Sequence, residues 1–325
     1  RTGTTFSNTV SLSTSSEKGN TRFSFTNMDN DDISPESTLD RNQISVNTSQ
    51  KLGDKITLDA SIKYSVENQA GNPNVSDGPG NANWVTKQYS PSIDVMWGVG
   101  PNGNGTQADG LSEYVFTSGT FITNPWFAQN MFVKELEKER FIGALNLRWD
   151  LADFLYVRGR VGADRFDAHR TNSTPYGTRY QSLGSISEYK LATQSIDADL
   201  FLGTDNLQLV EDLSLTAFVG ISSYKNQNES INISGSDFIV PGLVSYANTK
   251  NKGASYGFSE KQINSAYGSA EIGFRDYVFL NLTARNDWFS TLSLKDKVAP
   301  NNDLYTSASI SFVLSDAMDL GDDVD

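Results

Sequence analysis

Apolar and polar residues alternate along most of this chain, and the alternation has a period of two. Ile56, Leu58, Ala60 and Ile62 stand against Thr57, Asp59, Ser61 and Lys63, and Ile196, Ala198, Leu200 and Leu202 against Ser195, Asp197 and Asp199. Successive side chains of a strand point to opposite faces, so each segment predicts a strand with one apolar and one charged face. Segments of this kind fall near 4–16, 20–28, 40–50, 55–67, 134–150, 154–168, 187–203, 213–226, 262–275, 277–290 and 303–315, which predicts eleven strands. In the stretch SAEIGFRDYVFLNLTARNDWFSTL the pattern assigns Ala270, Ile272, Phe274, Val278, Leu280, Leu282 and Ala284 to the apolar face. Glu271, Asn281, Thr283 and Arg285 fall on the polar one.

The expected connections alternate in length. Short ones fall at Lys51 to Asp54, Leu151 to Asp153, Thr204 to Asp212 and Arg275–Asp276, and longer ones lie between them. In an up-and-down antiparallel sheet this puts tight turns on one rim and long loops on the other, as in outer-membrane barrels. A soluble sandwich or propeller also alternates, but its strands average about 5–6 residues. Most segments here are nearer the roughly 9–11 residues that cross a bilayer at a tilt. The predicted fold is therefore all-β, an antiparallel up-and-down transmembrane β-barrel facing outer-membrane lipid, with a soluble β-rich binding module as the competing class. An odd strand number leaves two edges, and unpaired backbone groups in hydrocarbon cost several kcal/mol each. Eleven strands are thus expected to be part of a larger barrel, the rest of its wall coming from residues beyond these.

Composition adds exclusions. The 325 residues include 26 Gly, 18 Phe and 13 Tyr, which suit strands with polar loops. A net charge of −13 without a compensating Lys/Arg cluster argues against nucleic acid as a partner. With no cysteine there are no disulfides, thiolate metal sites or cysteine nucleophiles. No apolar run is long enough for a spanning helix, which leaves a spanning barrel open.

At TARNDWFSTL, followed by NNDLYTSASISFVLSD, the sequence resembles the SusC/RagA-like family of TonB-dependent outer-membrane transporters of Bacteroidetes. The likeness extends through TVSLSTSSEKGNTRFSFTNMDNDDISPESTLDRNQISVNTSQKLGDKITLDASIKYS and NPWFAQNMFVKELEKERFIGALNLRWDLADFLYVRGRVGADRF. The resemblance implies a barrel of about 22 strands with a plugged lumen, of which residues 1–325 would be the N-terminal half. It further implies a SusD-type surface lipoprotein lid, a TonB complex reached through an N-terminal region, and uptake of an oligosaccharide or peptide. Neither plug nor TonB box falls within these residues. A barrel adopted as a structural or assembly subunit of a larger outer-membrane complex would have the same strands.

Candidate sites are few. The connection 68–133 has one basic residue, Lys87, and carries Trp84, Trp97, Tyr114 and Trp126 with Tyr89, Phe116, Phe121 and Phe127. Such aromatics stack on sugar rings or grip a partner, or pack on one another as the loop's own core. Asn286, Asp287 and Trp288 follow Arg285 at the long-loop end, placed either to meet a ligand or to tie the loop to the wall. Arg148, Arg158, Arg160, Asp197, Asp199, Glu271 and Arg285 are expected to face the lumen, pairing with a plug or with one another. NMDNDD, residues 27–32, lacks the order of a calcium loop and reads as a solvated surface loop. The single histidine, His169, has Asp164 and Asp167 nearby but no Gly-x-Ser-x-Gly motif, so it reads as a rim residue, and neither an enzyme nor a cofactor is expected. Asn-x-Ser/Thr triplets at Asn47, Asn74, Asn172, Asn228, Asn232 and Asn281 reflect the Asn/Ser/Thr-rich composition.

Overall fold

The alternating segments pair into one sheet. In the computed structural model, which describes residues 2–116, 118–275, 277–292 and 301–314, eleven antiparallel strands lie side by side in chain order. They are β1 (Thr4–Ser16), β2 (Gly19–Asp31), β3 (Thr38–Leu52), β4 (Ile56–Ala70), β5 (Lys134–Ala152), β6 (Leu155–Thr174), β7 (Ser185–Val210), β8 (Leu213–Phe238), β9 (Thr249–Phe274), β10 (Val278–Phe289) and β11 (Asn302–Phe312). Two of the residues assigned from the sequence, Asp276 in a turn and Ser315 at the last strand's end, lie outside the described residues.

Register settles the faces. Leu58 opposes Leu147, Leu145 opposes Val161, Leu200 opposes Ile221, and Leu280 and Leu282 oppose Ile272 and Ala270. Cross-strand partners share a face, so these pairs join into one apolar band. Its members are largely exposed, Val219 at 63 %, Ile221 at 62 % and Leu200 at 52 %, as a surface meant for hydrocarbon would be. On the opposite face, Asn281 donates to Glu271 at 2.9 Å and Asn146 to Asp59 at 2.8 Å. The division read from residues 270–285 therefore holds across the sheet.

The connections sort onto two rims. Turns at 17–18, 53–55, 153–154 and 211–212 lie at one end, and the segments 32–37, 71–133, 175–184 and 239–248 at the other. On the turn rim, Arg275 donates its backbone N–H to the Asp212 carbonyl and its Nε to the Asp212 carboxylate, both at 3.0 Å, linking neighbouring turns.

Three strands exceed the sequence expectation. β7, β8 and β9 each have 26 residues, more than twice what a bilayer crossing requires. Their apolar band ends near Ile196, Ile221 and Ala266, beyond which the same face carries Lys190, Lys225, Glu229 and Glu260. In β8 and β9 these charges interrupt the alternation and leave only isolated apolar residues such as Ile231 and Phe258, which is why the pattern stopped short of their upper halves, whereas at that end β7 begins only two residues before its expected start. At the lower end, 204–212 is not a loop. Asn206, with φ 45°, forms a bulge in β7 and donates its N–H to Thr216 Oγ1 at 3.1 Å, so only Glu211 and Asp212 make the turn. The segment 27–32 is likewise not a surface loop, since β2 runs through Asp31.

Candidate functional site

Four aromatic rings run across the inner face. Tyr156, Phe201, Phe218 and Tyr267, one each from β6 to β9, meet in sequence at centroid distances of 6.2, 5.5 and 5.9 Å. Gly203 is registered opposite Tyr156 and Phe218, and Gly220 opposite Phe201 and Tyr267. A Cβ at Gly203 would lie 2.6 Å from Tyr156 Cζ, and one at Gly220 would lie 2.6 Å from Phe201 Cβ. The rings thus lie down over bare backbone, a packing that offsets the weakness of glycine in a strand.

Arginines border this ladder. The Arg148 guanidinium stands 3.9 Å from the Tyr156 ring centroid, Arg160 5.6 Å from that of Phe201 and Arg285 5.5 Å from that of Tyr267. Each also has a carboxylate: Arg148 bonds Asp150 and Asp205 at 2.8 and 2.6 Å, Arg160 bonds Asp199 at 2.6 Å, and Arg285 bonds Asp287 at 2.7 Å. Tyr267 Oη adds a hydrogen bond to Asp199 at 3.1 Å, and Arg158 Nε donates to Asn146 Oδ1 at 2.5 Å. All seven sequence-predicted lumen residues, Arg148, Arg158, Arg160, Asp197, Asp199, Glu271 and Arg285, lie on this one face. The ladder itself was missed, because an apolar ring inside a polar face looks like noise in an alternation. The signal was Gly203 and Gly220, glycines in mid-strand.

The connection between β4 and β5 folds into a cap over the loop rim. It contains helices α1 (Ala82–Thr86) and α2 (Pro125–Met131), and its core is Phe127, Ala128 and Phe132 with Ala82, Met131 and Tyr180 against them. Asn124 organises it. Its Oδ1 accepts from the Trp126 N–H at 2.9 Å, capping α2, while Nδ2 donates to the carbonyls of Gly98 and Tyr114 at 2.6 and 2.8 Å. Gly105, at φ +82°, brings its backbone against α2 where a Cβ would lie 2.2 Å from the Phe127 nitrogen.

A buried carboxylate joins the cap to the β6–β7 connection. Glu113, 2 % exposed, accepts backbone N–H bonds from Asn124 at 2.7 Å and Arg179 at 2.8 Å. Burial raises its carboxyl above the ordinary value, against the pull of those bonds and of the Arg179 charge. Burial likewise raises the Tyr89 and Tyr180 hydroxyls, with the Glu113 charge adding to both. Gln129 Nε2 reaches the Gly71 carbonyl at 2.9 Å and the Pro35 carbonyl at 2.5 Å, tying α2 to the β2–β3 connection.

The sequence candidates divide accordingly. Trp84, Tyr114 and Trp126 are half-buried in the cap, Trp126 donating Nε1–H to the Val95 carbonyl at 3.0 Å, whereas Trp97 is 60 % exposed. Asp287 and Trp288 belong to β10 rather than to a loop. Asp287 is held on the inner face by Arg285, but Trp288 opposes Asn264 and Asn302 on the outer face and flanks an apolar groove with Leu200 and Ile221. Trp288 therefore points away from the lumen. His169 sits within β6, not at its end, with Glu188 and Glu137 carboxylates at 3.4 and 3.8 Å.

No family model and no curated protein matches the chain. Solved structures do match its shape. The RagAB peptide transporter is similar over 98 % of this chain and 35 % of its own, with a TM-score of 0.74 at 17 % identity. The ferripyoverdine receptor of the outer membrane of Pseudomonas aeruginosa is similar over 97 % of this chain and 39 % of its own, with a TM-score of 0.60 at 13 % identity. The outer membrane transporter YddB from Escherichia coli gives a TM-score of 0.57 at 11 % identity over 97 % of this chain and 36 % of its own. The chain thus spans well under half the length of the structures it matches, 35–39 % of these three. Its eleven strands have the fold of the TonB-dependent outer-membrane transporter barrels, the kind that the sequence resembles.

Proposed function

We propose that the eleven strands are the N-terminal half of the wall of a TonB-dependent importer of a large nutrient, an oligosaccharide or a peptide. The observation that carries this reading is the wall itself, apolar outside through its lower half and charged inside, with the shape of solved outer-membrane transporters. β1 and β11 each pair on one side only among the described residues. Further strands would satisfy those edges, since open backbone in hydrocarbon is too costly to persist. The inner-face arginine and carboxylate pairs would meet a plug, energy would arrive through a TonB-contacting segment outside these residues, and the cap would seat a SusD-type lipoprotein lid.

The test is growth of wild-type and deletion strains on oligosaccharides or peptides as sole nutrient, with and without a functional TonB complex. A growth defect on one nutrient class, reproduced by loss of TonB, is the expected result. A protein that assembles with partners while its deletion and TonB loss leave uptake unchanged would overturn import in favour of a scaffold.

A further inference from the structure

Beneath the cap, the inner face opens into a pocket of about 390 Å3 where the upper ends of β5 to β9 converge. Its volume lies within the range of small-ligand sites, roughly 300–1,000 Å3. Phe132, from the cap, closes one side, and the wall presents mainly hydroxyls and carboxamides, among them Ser185, Ser187, Ser234, Asn172 and Asn251. Such groups donate and accept at once.

Into this neutral lining comes the ammonium of Lys134. Four residues along the same face of β5, Lys138 is paired with Glu67 at 2.7 Å, whereas Lys134 has no ion pair among the described residues. Its Nζ lies 5.6 Å from the centroid of the Phe132 ring. Burial lowers its pKa to about 8, the sign of a cation held from water without a counter-ion. The other charged groups nearby are engaged: Asp237 accepts from Asn251 Nδ2 at 2.7 Å, and Lys252 donates to the Ala247 carbonyl at 3.2 Å. A desolvated ammonium beside an array of hydroxyls lacks one thing, a carboxylate carried on a polyhydroxylated body.

We propose that this pocket binds a uronic acid unit of an acidic oligosaccharide, with the carboxylate on Lys134 Nζ and the ring hydroxyls on the serine and asparagine side chains. The proposal rests on the importer reading and names its substrate class. A peptide is the poorer fit. One common grip on an extended peptide, main-chain bonds at a free strand edge, is closed here, since β5 to β9 are all paired on both sides.

The experiment is calorimetric titration of the purified full-length protein with trigalacturonate, maltotriose and trialanine, in wild type, Lys134→Gln and Lys134→Arg. Trigalacturonate is expected to bind wild type at least about tenfold tighter than maltotriose, with the preference lost in Lys134→Gln and kept in Lys134→Arg. The affinity should fall as pH rises through about 8, where Lys134 loses its charge. Equal binding of the acidic and neutral trisaccharides, a preference that survives Lys134→Gln, or Lys134-dependent binding of trialanine would each overturn the assignment. The change in electrophoretic mobility on heating, present alike in all variants, shows that each wall is folded. Titration needs no energised membrane, so loss of import with the binding intact would remove the importer reading alone.

Discussion

Gly220→Ala tests whether the inner-face rings really lie over bare backbone. The new Cβ would stand 2.6 Å from Phe201 Cβ, 3.0 Å from the Leu200 carbonyl oxygen and 3.2 Å from Tyr267 Cζ. The first two atoms are fixed by the β7 backbone, so β8 must shift, and overpacking of this kind costs about 1–3 kcal/mol. Gly162, on the same face, supplies the contrast: a Cβ there would meet nothing nearer than 4.0 Å, and Gly162→Ala should stabilise by about 0.4–1 kcal/mol by restricting the unfolded chain. The assay is urea unfolding of the protein in detergent micelles, read as a shift of midpoint at constant slope. Double variants sharpen it. At Gly203 the clash is with the far end of the Tyr156 ring, so Tyr156→Ala should rescue Gly203→Ala, whereas Phe201→Ala keeps its Cβ and should not rescue Gly220→Ala. Equal shifts for Gly162→Ala and Gly220→Ala, or rescue by Phe201→Ala, would refute the packing argument.

Four further outcomes are expected. Glu113→Gln keeps the shape but turns an amide toward a backbone N–H, so the cap should open more easily by about 1–3 kcal/mol, seen as faster amide exchange through Asn124 and α2. Because the folded carboxyl titrates above its ordinary 4.5, the closed cap binds more protons in that window, and wild-type cap stability should fall as pH rises through it, a slope that Glu113→Gln abolishes. Asp199→Asn strips the Arg160 pair of its charge; Asp199 is 6 % exposed but Arg160 50 %, so solvent screening limits the loss to about 1–2 kcal/mol in the same urea assay. Spin labels placed singly along 269–274 and 278–285, feasible in a chain with no cysteine, should alternate between oxygen and aqueous quenchers with period two in bilayers, and a flat profile would exclude the lipid-facing assignment.

The membrane-spanning part of the fold was legible because the bilayer writes a rule at every second residue. Leu58, Leu145, Leu200 and Ile272 obey it, and each falls on the outer face opposite an apolar neighbour, Leu147, Val161, Ile221 and Leu280 in turn. Above the bilayer the rule lapses. Lys225, Glu229 and Glu260 are water-facing on the same side as Val219 and Ile221, so β8 and β9 continue for a dozen residues with only a broken hydropathic trace, Ile231 and Ile233 in one and Tyr256 and Phe258 in the other. What holds them there is backbone pairing and polar ladders such as Asn228 to Thr193 and Asn226 to Ser195, at 2.9 Å each, which composition alone reads as loop.

Those upper halves explain where chemistry can reside. A wall that ended at the apolar band would leave the 71–133 connection to fold alone, but the raised strands give it a floor: the Gly71 N–H bonds the Lys134 carbonyl at 2.9 Å, and the Ser173 N–H bonds the Val133 carbonyl at 2.8 Å. The cap is thus hinged to the tops of β5 and β6, and Phe132 is carried onto the inner face beside Lys134. Lumen charges lower in the wall are engaged within the wall itself, as Arg160 is with Asp199, Arg158 with Asn146 and Glu271 with Asn281. On the assignment proposed for Lys134, selective recognition belongs to the mouth, where the wall stands clear of lipid and a cation has no ion pair among the described residues.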